Sequence, residues 1–220
     1  MSKKAIAVAT IILSLIIDQV SKIWVKLTMK SGDEFLYIGN WARIHFVENE
    51  GMAFGMSFGA GIGKFLLTLF RIIAVAFITY YLAQQIKDKK SSKGFVFALS
   101  LILVGAVGNI IDSIFYGQFF SHSEGQVATL FPAGGGYASW FHGRVVDMFY
   151  FPIYRGILPS WIPFFGGKYF EFFQFIFNVA DACITVGVFI ILIFQKKFFK
   201  EDVPIVKTSE ASSTEEIQSA

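Results

Sequence analysis

The sequence predicts a mainly α-helical membrane protein: four transmembrane helices, a small extracytoplasmic β-cradle and an extended extracytoplasmic loop. Three observations carry that expectation. Of 220 residues, 55% are hydrophobic and only 16% charged, with 27 phenylalanines, a balance foreign to soluble domains. Four apolar runs approach or exceed the roughly 20 residues that a membrane crossing needs. Basic residues cluster at Lys3-Lys4, from Lys87 to Lys93 and at Lys196 to Lys200, and all three clusters fall on one side if each run crosses the membrane once.

Helix one is expected over residues 5–27. It resembles a signal peptide at its start but is too long, carries Asp18 and Lys22 and lacks a small-residue cleavage site, so it is predicted to be retained. Asp18 and Lys22 stand i, i+4 and share a face; a mutual ion pair and a catalytic role are both open readings. Residues 33–58 break the apolar pattern. Alternation through Arg43-Ile44-His45-Phe46-Val47-Glu48 predicts a strand within a small cradle, followed by the glycine-bearing Asn49-Glu50-Gly51-Met52-Ala53-Phe54.

Helices two and three are expected over 65–85 and 95–115, joined by the basic loop Lys87-Asp88-Lys89-Lys90-Ser91-Ser92-Lys93, which the positive-inside rule places in the cytoplasm. The segment 117–169 contains too much Gly and Pro to span again, and is read as an outer loop whose Trp140 and Trp161 suit an interfacial belt. Asp147 is expected on a short strand or loop near the membrane surface. Helix four is expected over 170–194. Residues 1–200 thus form one membrane-embedded domain, with 201–220 a polar cytoplasmic tail of disordered composition. Both termini are predicted to be cytoplasmic.

This topology yields a depth estimate. Counting about 1.5 Å per residue from the cytoplasmic helix ends, Asp18 and Asp181 lie roughly 20 Å up, and Asn109 and Asp112 roughly 22–27 Å. All four share one layer near the outer surface of a slab about 30 Å thick. Asn178 and Asp181, spaced i, i+3 in an apolar run, add an amide and a carboxylate on one face. Convergence at one depth points to a single site facing the outer leaflet.

Carboxylates are the available chemistry. His45, His122 and His142 are scattered, no H-E-x-x-H, phosphate loop or G-x-S-x-G elbow is present, and the lone Cys183 excludes a cysteine zinc site or an intrachain disulfide. Neither a metal nor a cofactor is implied. Asp147 and Asp181 can act as a pair that shares a proton, one deprotonating water while the other protonates the carbonyl oxygen and then the leaving amine. The alternative is a small proton- or cation-coupled transporter using Asp18, Asp112 and Asp181. A Ser21–Lys22 dyad is weaker, because adjacent helical residues point apart.

In chain order, Asp18-Gln19-Val20-Ser21-Lys22, Asn49-Glu50-Gly51-Met52-Ala53-Phe54, Gly105 to Asp112, Val145-Val146-Asp147 and Phe177-Asn178-Val179-Ala180-Asp181 resemble the lipoprotein signal peptidases, the type II signal peptidases of bacteria. The resemblance implies a four-helix aspartyl endopeptidase of the inner membrane, active at its periplasmic face. It cleaves diacylglyceryl-modified prolipoproteins just before the lipid-modified cysteine of the substrate. Membrane lipid is the other implied partner, with no nucleic acid and no obligate protein. Asp147 and Asp181 match the family's catalytic aspartates. Asp18, Lys22, Asn49, Gly51, Gly108, Asn109, Asp112, Asn178 and Ala180 fall in the matching motifs as supporting or substrate-binding positions. Two departures stand out. Ser113 occupies the place of an arginine common after the aspartate matched by Asp112, which leaves Arg144 as a candidate for the missing charge. The loop 121–143 is also longer than the usual connection, consistent with a lid, a partner surface or a tolerated insertion.

Overall fold

A computed structural model of the chain describes residues 1–39, 41–50 and 62–199. Gly51, and with it the end of the expected cradle and the 201–220 tail, lies outside the described residues. Helix α1 runs Lys3–Thr28, α2 Ile62–Lys87 and α3 Lys93–Ile111, continued by a π-helical turn, Asp112–Tyr116, and the short α4, Gly117–Phe119. Helix α5, Val179–Ile193, is followed by α6, Gln195–Phe198. The helices Lys3–Thr28, Phe65–Lys87 and Lys93–Phe119 are long and apolar enough to cross a membrane. The shorter α5, extended by α6, completes a four-helix bundle.

Burial in this bundle is inverted relative to a water-soluble protein. On α1 the buried residues include Asp18, Lys22 and Lys26, whereas Leu13, Ile16, Ile17 and Val20 are exposed; Phe70, Ile73 and Phe77 of α2 and Phe189 and Ile193 of α5 likewise face outward. Hydrocarbon accepts those side chains without cost, so the polar residues are the ones that need a protein interior. Helix α3 is the axis, packing against α1, α2 and α5. Small residues allow the closest approach. A Cβ added at Gly105 would lie 2.2 Å from the Ala180 carbonyl oxygen, and one at Gly108 would lie 2.6 Å from Oδ2 of Asp18.

Four strands close one end of the bundle. β1 (Glu34–Ile38), β2 (Ala42–Asn49), β3 (Val145–Tyr150) and β6 (Ile176–Phe177) form an antiparallel sheet in the order β1-β2-β3-β6. Val47 pairs with Asp147 and Asn49 with Val145. Beneath it Val25, Met29, Phe46, Tyr116, Phe120, Val146 and Met148 make a core that joins α1 and the π-helical turn to the sheet. A second hairpin, β4 (Tyr154–Ile157) with β5 (Tyr169–Phe172), projects from the chain between β3 and β6.

Two expectations change. Helix four starts at Val179 rather than 170, because the Asn178 side chain accepts from the Asp181 amide and the Asp181 side chain accepts from the Asn178 amide, a capping box that sets the first turn. The preceding aromatic residues alternate as strands β5 and β6 instead. Half the sheet comes from beyond the expected 33–58 cradle, β3 from the segment read as outer loop and β6 from the stretch read as the start of helix four. Loop 121–143 packs onto the sheet end: the Ser31 amide donates to the Ser123 carbonyl (2.9 Å), the Ser121 amide to the Thr129 carbonyl (3.0 Å), and Ala128 joins the core.

The tight α3–α5 contact yields a prediction. Gly105→Val is expected to lower stability in detergent by about 1–3 kcal/mol through overpacking. Gly134→Ala, where nothing lies within 4 Å of an added Cβ, is expected to stay within about 0.5 kcal/mol. Thermal unfolding of the two purified variants tests both.

Candidate active site

The site is assembled where α1, α3, β3 and the start of α5 meet. Lys22 is fully buried and its ammonium lies 2.9 Å from Oδ2 of Asp18 and 2.9 Å from Oδ2 of Asp112, while donating to Oδ1 of Asn109 at 2.9 Å. Gln19 spans the same two carboxylates, 3.0 Å from Asp18 and 3.1 Å from Asp112. Each carboxylate then reaches a third element: Asp18 Oδ1 accepts from the Ala180 amide (2.9 Å) and Asp112 Oδ2 from the Val146 amide (3.3 Å). Asp18 and Asp112 are therefore fixed by a buried cation and by backbone donors, which leaves no support for a transport pathway through them.

Above this cluster stand Asp147 and Asp181. Asn109 donates to Oδ1 of Asp181 at 2.8 Å and its own Oδ1 accepts from Asn178 at 3.2 Å. Asn178 donates to Oδ1 of Asp147 at 2.7 Å, and Asn49 donates to Oδ2 of Asp147 at 3.1 Å. Two asparagine side chains thus join both carboxylates in one continuous chain that ends on Lys22. Burial pushes the Asp147 carboxyl up to about 7, with the charge of Asp181 acting in the same direction and the Asn49 and Asn178 hydrogen bonds opposing it. At neutral pH such a carboxyl is poised to hold or release a proton.

Asp18, Asn109, Asp112 and Asp181, the residues counted to one depth from sequence, are brought together by these contacts, along with Lys22, Asn49, Asp147, Asn178 and Ala180. Gly108 contributes closeness, its missing Cβ leaving room for Asp18. Arg144 does not supply the charge absent at Ser113. Its guanidinium pairs with Glu48 at 3.3 Å and Glu124 at 2.7 Å, while Lys22 serves Asp112. Ser113 instead donates its hydroxyl to the Asn109 carbonyl at 2.9 Å.

Sequence reasoning passed over several participants. Gln19 lies within the Asp18–Lys22 stretch, where nothing in the sequence marks it as the bridge between Asp18 and Asp112. Arg71 is the one charged residue between Phe65 and Ile86, and sits close enough to Asp181, Asp112 and Asp147 for their charges to act on it; counting about 1.5 Å per residue from Lys87 places it roughly 24 Å up, in the same layer. Lys26 is fully buried against Glu48, with Ser123 donating to Glu48 at 3.0 Å and accepting from Lys26 at 3.0 Å. The available signal was helical spacing: Lys26 follows Lys22 by four residues and shares its face.

Comparisons with known proteins place the chain as a whole. The family described as Signal peptidase (SPase) II matches residues 10–197. The lipoprotein signal peptidase of Porphyromonas gingivalis is 53% identical over 188 residues, covering 86% of this chain and 81% of its own. That of Amoebophilus asiaticus is 37% identical over 206 residues, covering 93% and 83%. Two solved structures described as a bacterial membrane enzyme superpose with TM-scores of 0.54 and 0.56 at 26% and 25% identity, covering 89% and 88% of this chain and 92% and 94% of theirs. A profile match over most of the chain, relatives this similar and a shared membrane fold lead to one conclusion: the chain belongs to the signal peptidase II family.

Proposed function

We propose that this chain is an aspartyl endopeptidase that removes the signal peptide from diacylglyceryl-modified prolipoproteins, cutting before the lipid-bearing cysteine. The observation that carries the reading is the Asp147–Asn178–Asn109–Asp181 chain. It holds two carboxylates from different elements in one cluster, Asp147 buried and Asp181 half-buried, with Asp147 raised into the range where a proton is shared. Family membership supports the protease class, and the names of the relatives support the substrate class.

In the proposed cycle one carboxylate is ionised and the other protonated. The ionised one removes a proton from water as its oxygen attacks the scissile carbonyl carbon. The protonated one gives its proton to the carbonyl oxygen. Collapse of the gem-diol intermediate breaks the C–N bond: the proton taken from water passes to the leaving amine, and a hydroxyl proton of the intermediate returns to the second carboxylate, which restores the starting state. Asn49, Asn109 and Asn178 orient the carboxylates; Lys22, Asp18, Asp112 and Ala180 fix the helix and the strand that carry them. The sheet end is assigned to the periplasmic side and both termini to the cytoplasm by the basic clusters. There the substrate's acyl chains remain in lipid, each buried methylene contributing about 0.8 kcal/mol to delivery.

Asp147→Asn and Asp181→Asn should each reduce cleavage of a diacylglyceryl-modified precursor by at least about 10³-fold, since Asn keeps the shape without exchanging the proton. The assay uses purified protein with EDTA present throughout, and turnover by either variant would remove the dyad. Wild-type cleavage should fall as pH rises through about 7, where Asp147 loses its proton. Asn49→Leu, which deletes a donor to the ionised form, should move that alkaline limb to higher pH, read from a kcat/KM profile.

The same group sets a stability trend. Between its ordinary value of 3.8 and about 7 the folded protein holds a proton on Asp147 that the unfolded chain has released. The folded state binds more protons across that window, so stability falls as pH rises through it. The Tm of Asp147→Asn in detergent should decline less than that of wild type between those pH values.

A further inference from the structure

The hairpin between Asp147 and Asn178 presents its apolar side chains outward. Trp161 is 78% exposed and Phe164 90%, with Phe165, Ile157 and Tyr169 also exposed. Among the described residues no ring pair holds Trp161 or Phe164, whereas in loop 121–143 the Trp140 ring meets those of Phe115 and Phe119. An exposed apolar cluster of this kind marks an interaction surface, and an isolated two-stranded hairpin in water is marginal.

Part of the backbone of the tip is paired from within. Leu158 donates to the Lys168 carbonyl (3.0 Å), Gly167 to Leu158 (2.9 Å), Gly166 to Ile162 (2.9 Å), Ile162 to Pro159 (3.1 Å) and Lys168 to Phe165 (3.1 Å). Internal pairing leaves fewer amides and carbonyls to seek water, which lowers the cost of entering the lipid boundary, where hydrocarbon offers them no partner. Phe164 holds a left-handed backbone, φ +67°, which is uncommon for a bulky residue. Charge is confined to the base and flank: Arg155 pairs with Glu171 at 3.0 Å, and the Lys168 ammonium lies 5.9 Å from the Phe165 ring centre. Aromatic side chains at the tip with a lysine behind them match the chemistry of the headgroup–acyl boundary.

We propose that the β4–β5 hairpin is a membrane-inserting element whose tip, Trp161, Phe164 and Phe165, is seated in the lipid boundary of the leaflet beside the carboxylate site. Its base runs into that site. The Phe173, Phe149 and Phe151 rings lie 6.3, 6.0 and 5.6 Å from Phe177, the residue before Asn178, giving an apolar path from the leaflet to the two aspartates. The inference rests on the membrane placement in the proposed function but not on its chemistry.

The test is fluorescence quenching of the full chain reconstituted in phosphatidylcholine vesicles. Trp24, Trp41 and Trp140 are replaced by Phe so that Trp161 alone reports, and native unfolding behaviour serves as the folding control. Acyl-chain-brominated phosphatidylcholine should quench Trp161, and aqueous acrylamide should quench it several-fold less than a free tryptophan analogue. Acrylamide quenching equal to the analogue, without bromolipid quenching, overturns the proposal. Shielding from acrylamide that vanishes on dilution of the protein, without bromolipid quenching, also overturns it and assigns the surface to a second copy. In a paired assay, Trp161→Ser with Phe164→Ser should raise KM for a vesicle-embedded precursor about ten-fold with kcat nearly unchanged, and leave cleavage in detergent unaltered. Equal loss in both media would make the hairpin merely structural and overturn the proposal. A failed protease reading shows instead as no wild-type cleavage in either medium, while the quenching result stands by itself.

Discussion

A single buried ammonium organises the molecule. Lys22 meets Asp18 on its own helix, Asp112 at the start of the π-helical turn, and Asn109 one turn earlier on α3. Removing one partner of a buried ion pair typically costs about 3–5 kcal/mol, and here each partner has a second duty. Asp18 holds the start of α5 through the Ala180 amide, Asp112 holds β3 through the Val146 amide, and Asn109 holds Asp181. The elements that bear the two proposed catalytic carboxylates are therefore located by one cation. The π-helical turn that begins at Asp112 fits this demand, since such turns reorient side chains inside an otherwise regular helix.

The two carboxylates are placed differently even though they share a hydrogen-bond chain. Asp147 lies within a buried strand, flanked by Val146 and Met148 of the core. Asp181 lies in the first turn of α5, at the positive end of its dipole, where it also closes the capping box. Asn178 contacts both, donating to Asp147 and accepting from the Asp181 amide. One amide side chain therefore sets helix start, strand position and carboxylate orientation together. This is why the fourth helix begins later than its hydrophobicity suggests.

Much of this was legible in the chain because hydrocarbon makes polar residues conspicuous. An Asp or Asn in an apolar run can be assigned a depth by counting, and the counting brought Asp18, Asn109, Asp112 and Asp181 to one layer. The expected face-sharing of Asp18 with Lys22 and of Asn178 with Asp181 is present as contacts. What counting could not supply was anything fixed by lateral pairing. The order β1-β2-β3-β6 brings residues about a hundred positions apart into register, and no local pattern encodes that. Arg144 illustrates the limit: three residues from Asp147 in sequence, it is drawn instead to Glu48 and Glu124 across the sheet end. The role of loop 121–143 was equally hidden, because Ser123, which links Lys26 to Glu48, resembles any other loop serine until the loop is folded.

The pairing of Asp18 with Lys22 also bears on how the protein is made. Asp112 emerges from the ribosome about ninety residues after Lys22, so α1 enters the bilayer before its interhelical partner exists. Because the two charges stand i, i+4, Asp18 supplies Lys22 with a counter-ion from its own helix while that helix waits in the membrane. Arrival of α3 then exchanges an intrahelical contact for a shared one. Assembly order is in this way built into the spacing of two residues on the first helix.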